Sequence, residues 1–203
     1  MTDNEDLPNS PAAERNREPI REVLARRLPE QGHMLEIASG LGQHAVYLSA
    51  ALPGWTWQPS DPDDEALVTL HARVAAADLS QLLAPIRLDV EQPDWAVATP
   101  DAILCVNMIH IAPWSATRAL FQGAGRWLRD GGWVFLYGPF HMDGASTSES
   151  NERFDADLRA RESRWGIRDL ADATAEAEAA GLRHIETIAM PANNHLVVYR
   201  KAH

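Results

Sequence analysis

Apolar residues along this chain switch between two spacings. One repeats every three or four positions, the other runs continuously or alternates, and each switch marks an element. In "RNREPIREVLARRLP" (15–29), Ile20, Val23, Leu24 and Leu28 share one helical face, and Pro29 ends the helix. "HMLEIAS" (33–39) reads as a strand and "QHAVYLSAAL" (43–52) as a helix closed by Pro53 and Gly54. "WTWQPSD" (55–61) is a second strand, and "PDDEALVTLHARVAAA" (62–77) is a helix whose early proline and acids suit its first turn. Strands follow over "APIRLDV" (84–90) and "DAILCVNMIHI" (101–111), the latter with an apolar core continuous enough for burial on both faces. "WSATRALFQGAGRWLR" (114–129) is a helix stopped by Asp130-Gly131-Gly132, and "GWVFLYGPF" (132–140) is the fifth strand. "IRDLADATAEAEAAG" (167–181) is a further helix, and "LRHIETIAMPANNHLVVYRK" (182–201) reads as two strands turning around residues 191–194.

Five strand–helix alternations and a closing hairpin predict an α/β fold: a doubly wound, mainly parallel seven-stranded sheet with a C-terminal antiparallel hairpin. Residues 1–14 are expected to be a flexible tail and 15–203 a single domain, with the polar segment 141–165 as a lid or an inserted helix. Ligands of such sheets sit beyond the carboxyl ends of the strands, so the residues there carry the functional reading.

Composition narrows the partners. Eighteen basic against 29 acidic residues leave a net charge of −11, which repels phosphate backbones and argues against nucleic acid. No apolar run is long enough for a bilayer, and the polar N-terminus lacks the apolar region of a secretory signal, so a cytoplasmic protein is expected. Cys105 is the single cysteine and sits in an apolar run, which fits a buried residue in a reducing compartment. His141 and Asp143 lack a third ligand at workable spacing and no "HExxH" occurs, so no metal is expected.

Four successive strand ends carry polar groups. Glu36 is followed by Ala38-Ser39-Gly40-Leu41-Gly42, whose glycines permit a tight turn and a close ligand. Asp61 ends the second strand, where a carboxylate accepts from ribose hydroxyls; as Asp61-Pro62 it is also placed to cap the next helix. Asp89 suits an adenine amine with Val90 against the ring, and Asn107 faces the reactive end of a ligand. Each has a purely structural alternative, and it is their succession that points to one nucleoside.

With these pieces in this order, the sequence resembles the class I S-adenosylmethionine-dependent methyltransferases. The runs are "LEIASGLG", "WQPSD", "IRLDV", "DAILCVNMIH" and "GGWVFLYGPF", with the closing hairpin. A narrower likeness, to the methyltransferase-like 26 group, rests on "ERNREPI", "LEIASGLGQHAVY", "WQPSDPD", "NMIHIAPW", "YGPF", "SNERFDADLRARESRWGIRDL" and "MPANNHLVVYR". The resemblance implies the Rossmann-like methyltransferase fold and S-adenosylmethionine as methyl donor. Glu36 and the backbone of Ala38, Ser39, Gly40 and Gly42 would then hold the methionine part, Asp61 the ribose, Asp89 and Val90 the adenine, with Asn107 near the sulfonium. Ala38 departs from the glycine preferred there, and is tolerated if that position does not need positive φ.

Asn16 and Arg17 precede the first helical face; a guanidinium there could clamp the donor's carboxylate, against a capping and surface role. His110, Tyr137 and His141, just beyond the fourth and fifth strands, are the candidate catalytic residues, with a histidine as general base or as a hydrogen-bonded wall. Trp114 is a candidate wall. The reading is methyl transfer to a small-molecule acceptor, and the sequence leaves monomer or homodimer open. The alternatives are a non-catalytic S-adenosylmethionine-binding regulatory or partner module and, behind it, a nicotinamide-dependent oxidoreductase.

Overall fold

In the computed structural model, which describes residues 7–202, helix α1 runs Pro11–Arg27. It starts before Arg15 because the Ser10 side chain accepts from the Ala13 amide and proline at the first position needs no donor. Residues 1–6 of the expected tail lie outside the described residues.

The chain forms two compact units. One comprises the described residues up to Asp89 with Pro100–Leu104; the other comprises Val90–Thr99 and the described residues from Cys105 on. In the first, β1 (Gly32–Ile37), α2 (Gln43–Ala51), β2 (Trp55–Asp61), α3 (Asp64–Ala77) and β3 (Ile86–Arg87) follow α1. β1 and β2 run parallel from Gly32 opposite Trp55 to Glu36 opposite Pro59. α1 packs on α2 and α2 on α3, and Ile20, Leu24, Leu35, Leu48 and Trp57 are buried completely between these layers.

After β4 (Ala102–Val106), the second unit holds α4 (Trp114–Trp127), β5 (Trp133–Gly138), β6 (Phe140–His141) and α5 (Glu149–Arg161). Then come β7 (Arg168–Asp169), α6 (Leu170–Ala179), β8 (Leu182–Met190) and β9 (Asn194–Lys201). Phe121 of α4 meets Tyr199 of β9 edge-on at 5.5 Å, and α4 packs on α6. Seven strands form one sheet in the order β3-β2-β1-β4-β5-β9-β8, parallel through β1, β2 and β3 and antiparallel where β9 lies between β5 and β8. This is the mainly parallel sheet with a closing antiparallel hairpin expected from the sequence.

Several strands are shorter than their apolar runs, for identifiable backbone reasons. β1 stops at Ile37 because Ala38 turns to a φ of 54°. β4 stops at Val106 because Asn107 has a φ of 62° and opens a short 3-10 turn, Met108–His110, where the sequence suggests continuing strand. β3 is two residues long and leaves Asp89 beyond its end. Phe140 leaves β5 to pair, through β6, with β7. The segment 141–165 contains an inserted helix, α5, capped by Ser148. Among the described residues no helix is long and apolar enough to cross a membrane.

The loop 90–99 meets α4 through the Trp95 ring and through the Pro93 carbonyl, which accepts from Arg126 at 3.1 Å. Trp95 lies over Gly123, where a Cβ would come within 1.9 Å of the indole. Gly123→Ala is expected to destabilise the protein by about 1–3 kcal/mol, since the added methyl must displace the buried ring. Chemical denaturation of the two proteins measures it.

Candidate functional site

The glycine loop of the first unit is held from both sides. Ser39 and Ser60 bond reciprocally, the Ser39 amide to the Ser60 carbonyl at 2.8 Å and the Ser60 amide to Ser39 Oγ at 3.2 Å. Asp61 Oδ2 accepts from the Gly40 amide at 2.9 Å and Oδ1 from the Asp63 amide at 3.0 Å. From α3, Arg73 Nε donates to the Leu41 carbonyl at 2.6 Å. The other side of its guanidinium reaches Pro8 O at 2.7 Å and Asn9 Oδ1 at 3.1 Å. Gly42 has a φ of 77° and would drive a Cβ to 2.5 Å from Leu70, whereas a Cβ on Gly40 would meet nothing within 4 Å. Gly42 is therefore a packing glycine, and Gly40 faces open space.

Two expectations change. The cap of α3 is Asp63, whose carboxylate accepts from Glu65 and Ala66, so Asp61 is not the cap. Its two bonds leave further lone pairs on a fixed carboxylate, which fits the hydroxyls of a ribose. Ala38 does adopt positive φ, so the alanine is accommodated at the cost of backbone strain rather than by avoiding it.

Glu36 is buried among apolar residues and accepts from Trp57 Nε1 at 2.6 Å. Burial raises its pKa to about 7, helped by the neighbouring Asp61 charge and opposed by the indole bond. Asn16 is buried on α1, and its Oδ1 lies 2.6 Å from His44 Nε2 on α2. Burial, and then the charge of Arg17, lowers the His44 pKa to about 4. Arg17 itself makes two bonds to Glu14, at 3.0 and 2.7 Å, and stacks on Tyr47 at 4.6 Å. Gln43 completes this layer, accepting from the Ser10 amide at 2.6 Å and donating to Glu14 at 2.8 Å. Asn16 and Arg17 thus join α1 to α2. Asp89 is half-buried in the segment after β3.

In the second unit the Asn107 amide donates to the Tyr137 carbonyl at 2.8 Å, and its own carbonyl accepts from His110 at 3.1 Å. The 3-10 turn is gripped by Arg168, which donates to Ile109 O at 2.9 Å and Ala112 O at 2.7 Å and lies 5.6 Å from the Trp114 ring. His110 is fully buried, and burial with the Arg168 charge lowers its pKa to about 3. Such an imidazole stays neutral at physiological pH but takes a proton reluctantly, which favours orientation over general-base work. Tyr137 is buried in β5, and Val90 is buried in the loop before Trp95. His141 ends β6. Among the described residues no group of three or more His, Cys, Asp or Glu side chains is placed to hold a metal ion.

Sequence reasoning missed Gln43, His44, Ser60 and Arg73. The first two had a signal, since polar residues open a helix that is otherwise apolar. Arg73 had none, because a lone arginine in "LHARVAAA" reads as surface.

A family model described as "Protein of unknown function (DUF938)" matches residues 7–201. Solved structures share the fold. An O-methyltransferase family protein from Burkholderia thailandensis superposes with a TM-score of 0.80 at 14% identity, over 94% of this chain and 57% of its own. A putative sarcosine dimethylglycine methyltransferase from Galdieria sulphuraria gives 0.77 at 14%, over 94% and 87%. Human N-acetylserotonin methyltransferase, in complex with S-adenosylmethionine, gives 0.74 at 13%, over 92% and 55%. This chain therefore spans little more than half the length of the Burkholderia and human proteins, and at these identities the likeness is one of fold.

Two substitutions test the loop. Ala38→Gly is expected to stabilise the protein by about 0.5–1 kcal/mol, because glycine removes the left-handed strain at a smaller entropic cost; thermal unfolding reads it. For Glu36 the folded pKa is raised, so its contribution is full below the ordinary carboxylate range and is lost as pH climbs through about 7. Glu36→Gln should then gain on the order of 2–3 kcal/mol at pH 8 and little at pH 4. Equal effects at both pH values in urea unfolding would contradict the assignment.

Proposed function

We propose that this chain, which belongs to the DUF938 family of proteins of unknown function, transfers a methyl group from S-adenosylmethionine to a small-molecule acceptor. The carrying observation is the loop over residues 38–42, with Gly40 facing open space and tied by its amide to the fixed carboxylate of Asp61. That pair offers backbone approach and a hydroxyl acceptor next to each other, as a nucleoside requires. The donor, when bound, supplies a methyl on a positively charged sulfur.

In this reading Asp61 orients the ribose, Asp89 with Val90 meets the adenine, and Glu36 with residues 38–42 bounds the methionine part. Asn107 would face the sulfonium. Asn16 and Arg17 hold α1 against α2, and Arg17 reaches a donor carboxylate only by exchanging Glu14 for it. Methyl transfer needs alignment more than proton removal. Neutral His110 suits an orienting role, and His141 and Tyr137 are its companions on the acceptor side. The segment 141–165, with α5, would cover the acceptor.

The narrower likeness to the methyltransferase-like 26 group belongs to this proposal; it is supported by the shared runs and adds no acceptor. So do a cytoplasmic setting, supported by a buried free Cys105 and an acidic surface, and a small molecule rather than nucleic acid as partner. A donor-binding module without turnover would keep the first unit's features and lack any acceptor.

Calorimetric titration with S-adenosylhomocysteine is expected to show micromolar binding, weakened tenfold or more by Asp61→Ala. A folded protein that binds neither S-adenosylmethionine nor S-adenosylhomocysteine would sink the proposal. Preference for NADH would replace it with the oxidoreductase.

A further inference from the structure

Two imidazoles, His110 and His195, flank Gly138 in the second unit, and a third, His141, acts on His110. A Cβ on Gly138 would lie 2.4 Å from His110 Nε2 and 3.3 Å from Asn107 Oδ1, so its missing side chain points at that ring. His195 stands directly opposite Gly138 in the β5–β9 pair. Directly opposed residues of an antiparallel pair send their side chains to the same face. His195 is therefore on the face where His110 lies. Phe140 meets His110 edge-on at 5.2 Å, and His141, the next residue, is within electrostatic reach of His110.

These rings carry unmatched polar atoms. Nδ1 and Nε2 of His110, Nδ1 of His141 and Nδ1 of His195 are buried with no well-aligned hydrogen-bond partner among the described residues, and the Gly166 backbone is close enough to act on the His110 ring. Each such group is costly to leave unpaired away from water. Several of them within one region of the second unit are a reason to look for a ligand. The charged groups beside them are already engaged. Arg168 donates to the carbonyls of Ile109, Ala112 and Arg164, and Asp155 accepts from the Ile167 amide and from Arg159. Burial also lowers the pKa of both His110 and His195, which keeps these rings neutral at physiological pH. A neutral imidazole offers one donor and one acceptor. It does not offset a net charge, but a hydroxyl, which donates and accepts through one atom, can pair with either nitrogen and so bridge two such rings.

We infer that this cluster binds the hydroxyl group of a neutral alcohol or phenol, with His110, His141 and His195 as its hydrogen-bond partners. Naming that molecule the methyl acceptor rests on the methyl-transfer reading; its binding to the cluster does not. His195 enters as a specificity residue that its strand sequence, "NHLVVYRK", does not announce.

The test uses the full chain and catechol as probe, with acetate and methylammonium as charged comparisons, followed through the histidine ring nitrogens by NMR. Catechol is expected to shift the signals of His110, His141 and His195 together and saturably, leaving those of His71 and His184 in place, while the charged probes do not. His195→Phe should weaken catechol tenfold or more at unchanged S-adenosylhomocysteine affinity. If that variant does not fold, His195→Asn is expected to show a smaller loss in the same direction. The inference is overturned if catechol leaves the three signals unmoved, if a charged probe moves them more, or if the folded variant binds catechol as the parent does. S-adenosylhomocysteine that fails to bind while catechol still shifts the cluster removes the donor reading alone; the reverse result removes the hydroxyl site alone.

Discussion

The first unit depends on one carboxylate holding two backbone amides. Asp61 fastens Gly40 with one oxygen and Asp63 with the other, so a single side chain fixes both the turn after β1 and the approach to α3. Charge-assisted bonds of this kind contribute about 1.5–3 kcal/mol each, enough to hold a three-residue stretch with two left-handed positions. The reciprocal serine pair continues the β1–β2 ladder past its last register pair, Glu36 opposite Pro59, and that extension places Asp61 against the loop. Remove the carboxylate and the glycines regain the freedom that makes them poor elements of a rigid site.

The fold was legible because its signals are collective. Many apolar positions agree on each helix and strand, and their alternation points to a mainly parallel sheet. What was not legible depends on single backbone angles. Nothing in "LEIAS" or "AILCVN" marks the residue at which φ turns positive, and an alanine is a poor guide to such a place. The strand-end acids were readable as a series, yet the division of labour between Asp61 and Asp63 was not, because two aspartates flanking a proline offer the same chemistry to a cap. Arg73 and His195 escaped for a different reason. Their roles come from residues far along the chain, Leu41 and Pro8 for one and Gly138 for the other, and local pattern carries no trace of those partners.

Buried titratable groups in the two units pull stability in opposite directions with pH. Glu36 is comfortable when protonated, His44 and His110 when not. Acidification stabilises the first and opposes the others, since the unfolded chain then takes up protons that the folded histidines refuse. A near-neutral optimum of stability follows from this balance. Glu36 and His44 lie inside the packed layers of the first unit and His110 inside the second, so burial itself is what shifts each of them.

Arg73 makes the glycine loop and the segment before α1 parts of one hydrogen-bonded assembly. Its guanidinium joins Leu41 to residues 8 and 9, while Gln43 ties residue 10 to the start of α2. Three stretches far apart in sequence thus share two side chains, and a change in any one of them removes a partner from the others.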